Sequence, residues 1–213
     1  LAIAAVRPLL PRGALVARRG LPSVILVRGL GAAAFFGAQI YLPYLLTDRY
    51  LLSPTLAGLA LTGGALAWSA AATVQGRMGE RLSSVTAVRV GTVLVVVGIA
   101  LILVITVTQA TPLLAALAWV VAGAGMGLMS PRSSALVLAM SSPAEQGFNS
   151  GAMTVADSFG SALALAVTGS LFVTLGAVAG VDAFAGVFAL AAVIGAAAAV
   201  LAPRTRSVEP AAE

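Results

Sequence analysis

The chain has 213 residues, of which 60% are hydrophobic and 9% charged, and its mean hydropathy is +1.06. A water-soluble domain carries about 25% charged residues, so this composition excludes one and points to a membrane-embedded protein. With neither cysteine nor histidine, disulfide and thiol chemistry are excluded, and the net charge of +5 rests on arginine, since no lysine is present.

In chain order, Leu1–Val6 is apolar and Arg7-Pro8 breaks it. This stretch reads as the last turns of a preceding membrane helix, and the chain as a fragment of a longer protein; the alternative is a short interfacial segment at a true N-terminus. Residues 1–23 are then the end of that span followed by a basic cytoplasmic linker. Six apolar stretches follow at 24–46, 54–75, 85–107, 112–138, 149–176 and 182–201, and residues 202–213 form a short tail. About 20 helical residues cross a hydrocarbon core roughly 30 Å thick. The stretches do not alternate as barrel strands would, and Leu94–Ile105 is apolar on every face. The fold class is therefore all-α: a polytopic bundle of six transmembrane helices. Ser53-Pro54 and Thr111-Pro112 read as N-caps with proline at the first helical position, marking the starts of spans two and four.

The spans carry few polar groups, and each has two readings. In span one, Gln39 lies four residues before Pro43, among Phe35, Phe36, Tyr41 and Tyr44. That composition suits a wet cavity wall, whereas an interfacial aromatic belt would explain the tyrosines alone. In span four, Trp119, Gly123, Met126, Ser130 and Ser133 share one helical face, and Trp68 of span two can join them. Phe36, Gln39, Trp68, Trp119, Met126 and Ser130 are accordingly the candidate substrate-cavity residues. Helix packing competes for this face, because Gly123-x-x-x-Gly127 lets helices approach closely. Pro131 is expected to bend span four. Asp157 in span five is the one carboxylate placed inside a span. An ionisable group there is costly unless it meets water or a partner, so it is the proton-coupling candidate. The competing reading pairs it with Arg132 or local backbone. No catalytic or metal-ligating constellation is visible, and no cofactor is expected.

Arg7, Arg12, Arg18, Arg19, Arg28, Arg77, Arg81, Arg89, Arg132, Arg204 and Arg206 fall on one side of the six spans, and Arg49 alone on the other. The positive-inside rule makes the arginine-rich side cytoplasmic, with both ends of this chain on it. Orientation explains these charges, so no nucleic-acid partner is expected.

Two connectors bear a family resemblance. Gly76-Arg-Met-Gly-Glu80-Arg81-Leu-Ser-Ser84 resembles the loop signature of the major facilitator superfamily, roughly G-x-x-x-D-R-x-G-R-R. Gly76 and Arg81 match and Glu80 replaces Asp, while Ser83 and Ser84 depart from the pattern. Pro143-Ala-Glu145-Gln-Gly147-Phe-Asn-Ser150-Gly151 is similar to the family's P-E-x-x-G-x-x-S-G connector. Gly-rich Ala122–Leu128 and Asp157-Ser-Phe-Gly160 look like bacterial drug-efflux members. The resemblance covers residues 24–201. It implies a C-terminal half-bundle of two inverted three-helix repeats, whose partner is a missing N-terminal six-helix half. It also implies a gating role for Gly76, Glu80 and Arg81, against the plainer reading of a solvated turn. The expected function is secondary active transport by alternating access in the cell (plasma or inner) membrane: proton-coupled efflux of small organic or drug-like compounds, with the lipid bilayer and protons as further partners. An importer of a nutrient or metabolite, and a non-transporting scaffold or sensor, are the alternatives.

Overall fold

A computed structural model describes residues 6–206, and for Glu80 it describes the backbone alone. Among them, seven α-helices build six membrane-length spans: α1 Leu21–Gln39, α2 Tyr41–Asp48, α3 Pro54–Met78, α4 Ser84–Thr108, α5 Pro112–Ala139, α6 Gln146–Gly176 and α7 Ala183–Leu201. The expected all-helical membrane bundle is what the chain forms, and every expected span coincides with an observed one to within three residues at either end. The apolar segment expected to close a preceding helix lies, apart from Val6, outside the described residues, as does the tail from residue 207.

The helix starts follow from side-chain caps. Ser53 Oγ accepts from the Leu56 N–H at 3.4 Å and Thr111 Oγ1 from the Leu113 N–H at 3.3 Å, each ahead of a proline. Ser83 and Asp182 cap α4 and α7 in the same way. Span one is not one helix: it breaks at Ile40 into α1 and α2. Pro43 explains the break, because it has no N–H to donate to the Gln39 carbonyl and its ring crowds that oxygen. By contrast, α5 runs on through Pro131 without interruption.

Packing follows a twofold plan. α4 lies along α5, and α1 lies along α7. α3 packs on α5, and α6 packs on α1. Exchanging spans one to three with spans four to six maps each of these pairs onto the other. An odd number of spans per repeat reverses its direction in the membrane, so the two repeats are inverted. Small residues set the close crossings. A methyl on Gly91 would sit 2.6 Å from the Gly125 carbonyl oxygen, and a side chain at Gly123 or Gly127 would strike the backbone of Gly64 or Trp68. The core centres on Trp119, Met126, Met129, Ile99, Leu42 and Phe188, all under 2% exposed.

Burial is uneven. In span one 67% of the most apolar window is buried, but only 17% in α3 and 11% in α6. α3 and α6 are symmetry equivalents, and both leave a long side uncovered.

Candidate functional site

The chemistry of the bundle concentrates where α1, α5 and α6 meet. Arg28 Nε donates to Asp157 Oδ1 at 2.9 Å and Oδ2 at 2.8 Å, Nη2 lies 2.8 Å from Oδ2, and Nη1 donates to Ser130 Oγ. The side chains are 12% and 25% exposed. The backbone makes this contact possible. A methyl on Gly29 would sit 2.9 Å from the Ala156 carbonyl oxygen, and one on Gly160 would sit 2.7 Å from the Gly29 carbonyl oxygen. α1 and α6 therefore nearly touch one residue away from the pair. Either charge alone at this depth would be strongly unfavourable; the opposite charges satisfy each other, and the Ser130 hydroxyl accepts a further N–H of Arg28.

The partner of Asp157 is thus Arg28, not the Arg132 of the competing reading. Arg132 turns to α3, where Nε donates to Gln75 Oε1 and Nη2 to the carbonyls of Gln75 at 2.8 Å and Gly79 at 2.9 Å. Residues 130 and 132 point about 200° apart on a helix, so the face that gives Ser130 to Arg28 takes Arg132 away. Arg28, which in the sequence reads as an orienting charge at the start of span one, is an internal residue. Its place inside an apolar run, like that of Asp157, was the signal.

The six cavity candidates separate into two groups. Trp119 is 1% exposed and Met126 0%. The Trp119 ring lies against Gly64 and stacks on Phe35, with centroids 4.5 Å apart. In this conformation both are sealed in the core and offer a ligand no surface. Phe36, Gln39, Trp68 and Ser130 are half-buried. Phe36 and Trp68 stand 6.4 Å apart, and both meet Phe35 edge-on at 5.5 Å. Polar stripes run down the two uncovered helices: Thr55, Thr62, Ser69 and Thr73 on α3, and Thr154 and Ser158 on α6, all exposed. Several of these hydroxyls bond their own helix, as Thr73 does to the Ser69 carbonyl at 2.9 Å and Thr154 to the Ser150 carbonyl at 3.1 Å. A hydroxyl satisfied this way faces apolar or polar neighbours at little cost.

The comparison with family models is decisive about ancestry. The Major Facilitator Superfamily model matches residues 24–213. The chain belongs to the major facilitator superfamily. No curated protein matches it closely. Superfamily members are secondary transporters rather than enzymes, and their bilayer setting and small-molecule cargo agree with six apolar helices. The connector that resembles the superfamily loop joins α3 to α4. Gly76 ends α3 with Arg77 and Met78, and Gly79–Arg81 forms one 3-10 turn. Arg132 fastens this turn to α5 through the Gly79 carbonyl. The Glu80 side chain lies outside the described residues.

At the opposite end Arg49 does more than orient. Its Nη1 lies 2.7 Å from Asp182 Oδ2 and 3.1 Å from the Thr106 carbonyl, and its guanidinium stands 5.4 Å from the Phe184 ring centre. One arginine thus joins the ends of α2, α4 and α7. Burial alone would push the Asp182 carboxyl up, but the Arg49 bond and charge and the N–H groups of Ala185 and Phe184 outweigh it and hold the carboxyl below its ordinary value. The bond to Asp182 raises the Arg49 guanidinium in turn, against the opposing effect of burial. Burial also pushes the neighbouring Tyr50 phenol up.

Proposed function

We propose that this bundle is the C-terminal half of a proton-coupled exporter of small organic, drug-like compounds, working by alternating access against a second six-helix half. The observation that carries the reading is the Arg28–Asp157–Ser130 cluster: an ion pair in an apolar bundle, spanning three helices, beside two uncovered polar stripes. Substrate would lie between α3 and α6 on a floor of Phe36, Gln39, Trp68 and Ser130. A flat aromatic pair and one amide suit amphipathic organic molecules. A proton taken up by Asp157 would cancel the carboxylate charge and release Arg28, loosening α1 from α6. Proton loss would restore the pair. Proton occupancy and helix contact are then two readings of one event, which is what coupling requires. Trp119 and Met126 would reach substrate only in another conformation. Gly76, Glu80 and Arg81 would bias the rocking equilibrium at the cytoplasmic end of a cell-membrane protein whose arginine-rich side faces inward.

The test is transport by the full-length protein in inside-out vesicles with an imposed pH gradient, normalised to protein in the membrane. Wild type should accumulate organic cations or dyes when the lumen is acidic, and Asp157→Asn should lose the gradient dependence. Equal pH dependence in the two proteins would remove Asp157 from coupling. Uptake driven only in right-side-out vesicles would make the protein an importer.

A further inference from the structure

A cavity runs between α1 and α6, passing Gly29 and Ala156, the chain neighbours of the ion pair. It has a volume of about 380 Å³, and Leu26 and Leu30 of α1, Phe159, Leu163 and Val167 of α6 and Ile194 of α7 line it. Its walls are almost wholly carbon, and it is open along one side. Its α6 wall runs from Ala156 to Val167, roughly 16 Å of helix. That is about half a hydrocarbon core, the depth of one leaflet.

What covers its arginine-rich end gives the cavity a direction. The linker folds over it in two short turns, Arg7–Leu9 and Ala14–Val16. Leu10, Ala14 and Leu15 belong both to this cavity and to an adjoining one of about 340 Å³, which Arg7 and Arg12 line. Both arginines are exposed, and neither has an ion-pair partner among the described residues. The linker has a defined shape. Gly13, at φ 90°, turns the chain back so that its carbonyl accepts from the Arg18 N–H at 3.1 Å. The Ser23 hydroxyl donates to the Arg18 carbonyl at 2.7 Å, and the Gly20 N–H to the Arg204 carbonyl at 2.9 Å. Leu9, Leu15 and Val16 are 49%, 48% and 75% exposed among these arginines, the pattern of a segment lying in a membrane interface.

We propose that the two adjoining cavities form one binding site for an anionic phospholipid. An acyl chain fills the carbon-lined groove between α1, α6 and α7, and the headgroup phosphate sits between Arg7 and Arg12. The charge order argues for this occupant. An apolar slot one leaflet deep, ending in two guanidinium groups that have no ion-pair partner among the described residues, complements a lipid from tail to head. A purely apolar helix in the slot would leave both arginines without a counter-charge. Guanidinium groups bind phosphate oxygens through paired N–H donors, and a zwitterionic headgroup would gain less because its own cation competes.

The test uses the protein purified from its membrane and reconstituted in phosphatidylcholine nanodiscs, with spin-labelled phosphatidylglycerol or spin-labelled phosphatidylcholine as probe. The immobilised component should prefer phosphatidylglycerol by up to about thirtyfold, the scale expected for two interfacial arginines. Arg7→Ala with Arg12→Ala should remove the preference, and Arg7→Lys with Arg12→Lys should keep most of it. Leu163→Trp, which fills the groove and leaves the arginines alone, should expel both probes while the protein stays monodisperse. Equal retention of the two lipids by wild type would overturn the site. So would a preference that survives the double alanine variant, or cross-linking of a Leu163→Cys protein to another polypeptide through the groove. None of these readouts depends on transport, so the site stands or falls apart from the proposed exporter.

Discussion

Arg28 and Asp157 are 129 residues apart in the chain, yet the arginine grips both carboxylate oxygens, at 2.9 and 2.8 Å. The pair ties the first span to the fifth, and a third helix contributes Ser130. Removing one partner leaves the other charge buried without compensation, whereas removing both leaves an apolar contact. Asp157→Leu alone should cost about 3–5 kcal/mol, while Arg28→Leu with Asp157→Leu should be far milder. Thermal unfolding in detergent checks this. Transport should be lost in both variants, so a double variant that is stable yet inactive would separate the pair's roles.

Topology is open to direct labelling, because the chain has no cysteine. A thiol at Thr108 should react with an impermeant reagent in intact cells, and one at Ser84 should react only after permeabilisation. Residues 47–53, 108–111 and 177–181 should all behave as Thr108 does, and residues 76–84 and 139–148 as Ser84 does. The reverse pattern would invert the orientation.

Gly123 marks where α5 presses on α3. Gly123→Leu must push the helices apart, because its side chain would meet the backbone of Gly64. A loss of about 1–3 kcal/mol or more is expected, with lower yield of folded protein. Gly58, with nothing within 4 Å of a built Cβ, should accept alanine without loss.

The outer clamp should show in acid. Asp182 sits below its ordinary value, so its contribution is complete above the unfolded carboxyl value near 4 and fades as pH falls through the lower folded value. Wild-type stability should therefore fall as pH drops from about 4 towards 2. Asp182→Asn should be weaker at neutral pH by about 1 kcal/mol or more and flatter on the acid limb. Melting curves across that range measure both slopes.

The spans and their starts were legible in the sequence because apolar length, serine or threonine caps and prolines act within a few residues. Pro54 and Pro112 name their own helix starts. Pairing was not legible, because it depends on helix rotation. The sequence shows an arginine at 28 and another at 132, and nothing local says which one turns towards Asp157. The Gly29–Gly160 approach decides it, and that contact exists only once α1 and α6 have packed. Trp119 was ambiguous for a related reason. A large aromatic beside glycines fits a ligand cavity or a tight core equally well until Gly64 is seen beneath the ring. Pro43 marks a place where the first span could break, but the missing N–H alone does not decide it, since α5 runs on through Pro131.

That break divides the first span into two levers with separate anchors. The inner lever, α1, is latched to α6 through Arg28. The outer one, α2, is held to α7 through Arg49 and to Phe172 and Phe184 through Tyr41 and Tyr44. With the hydrogen-bond ladder interrupted between them, torque on one lever is absorbed at Ile40 before it reaches the other. In a carrier that works by alternating access, such a joint would let the two ends of the bundle open in turn, as leak-free transport requires.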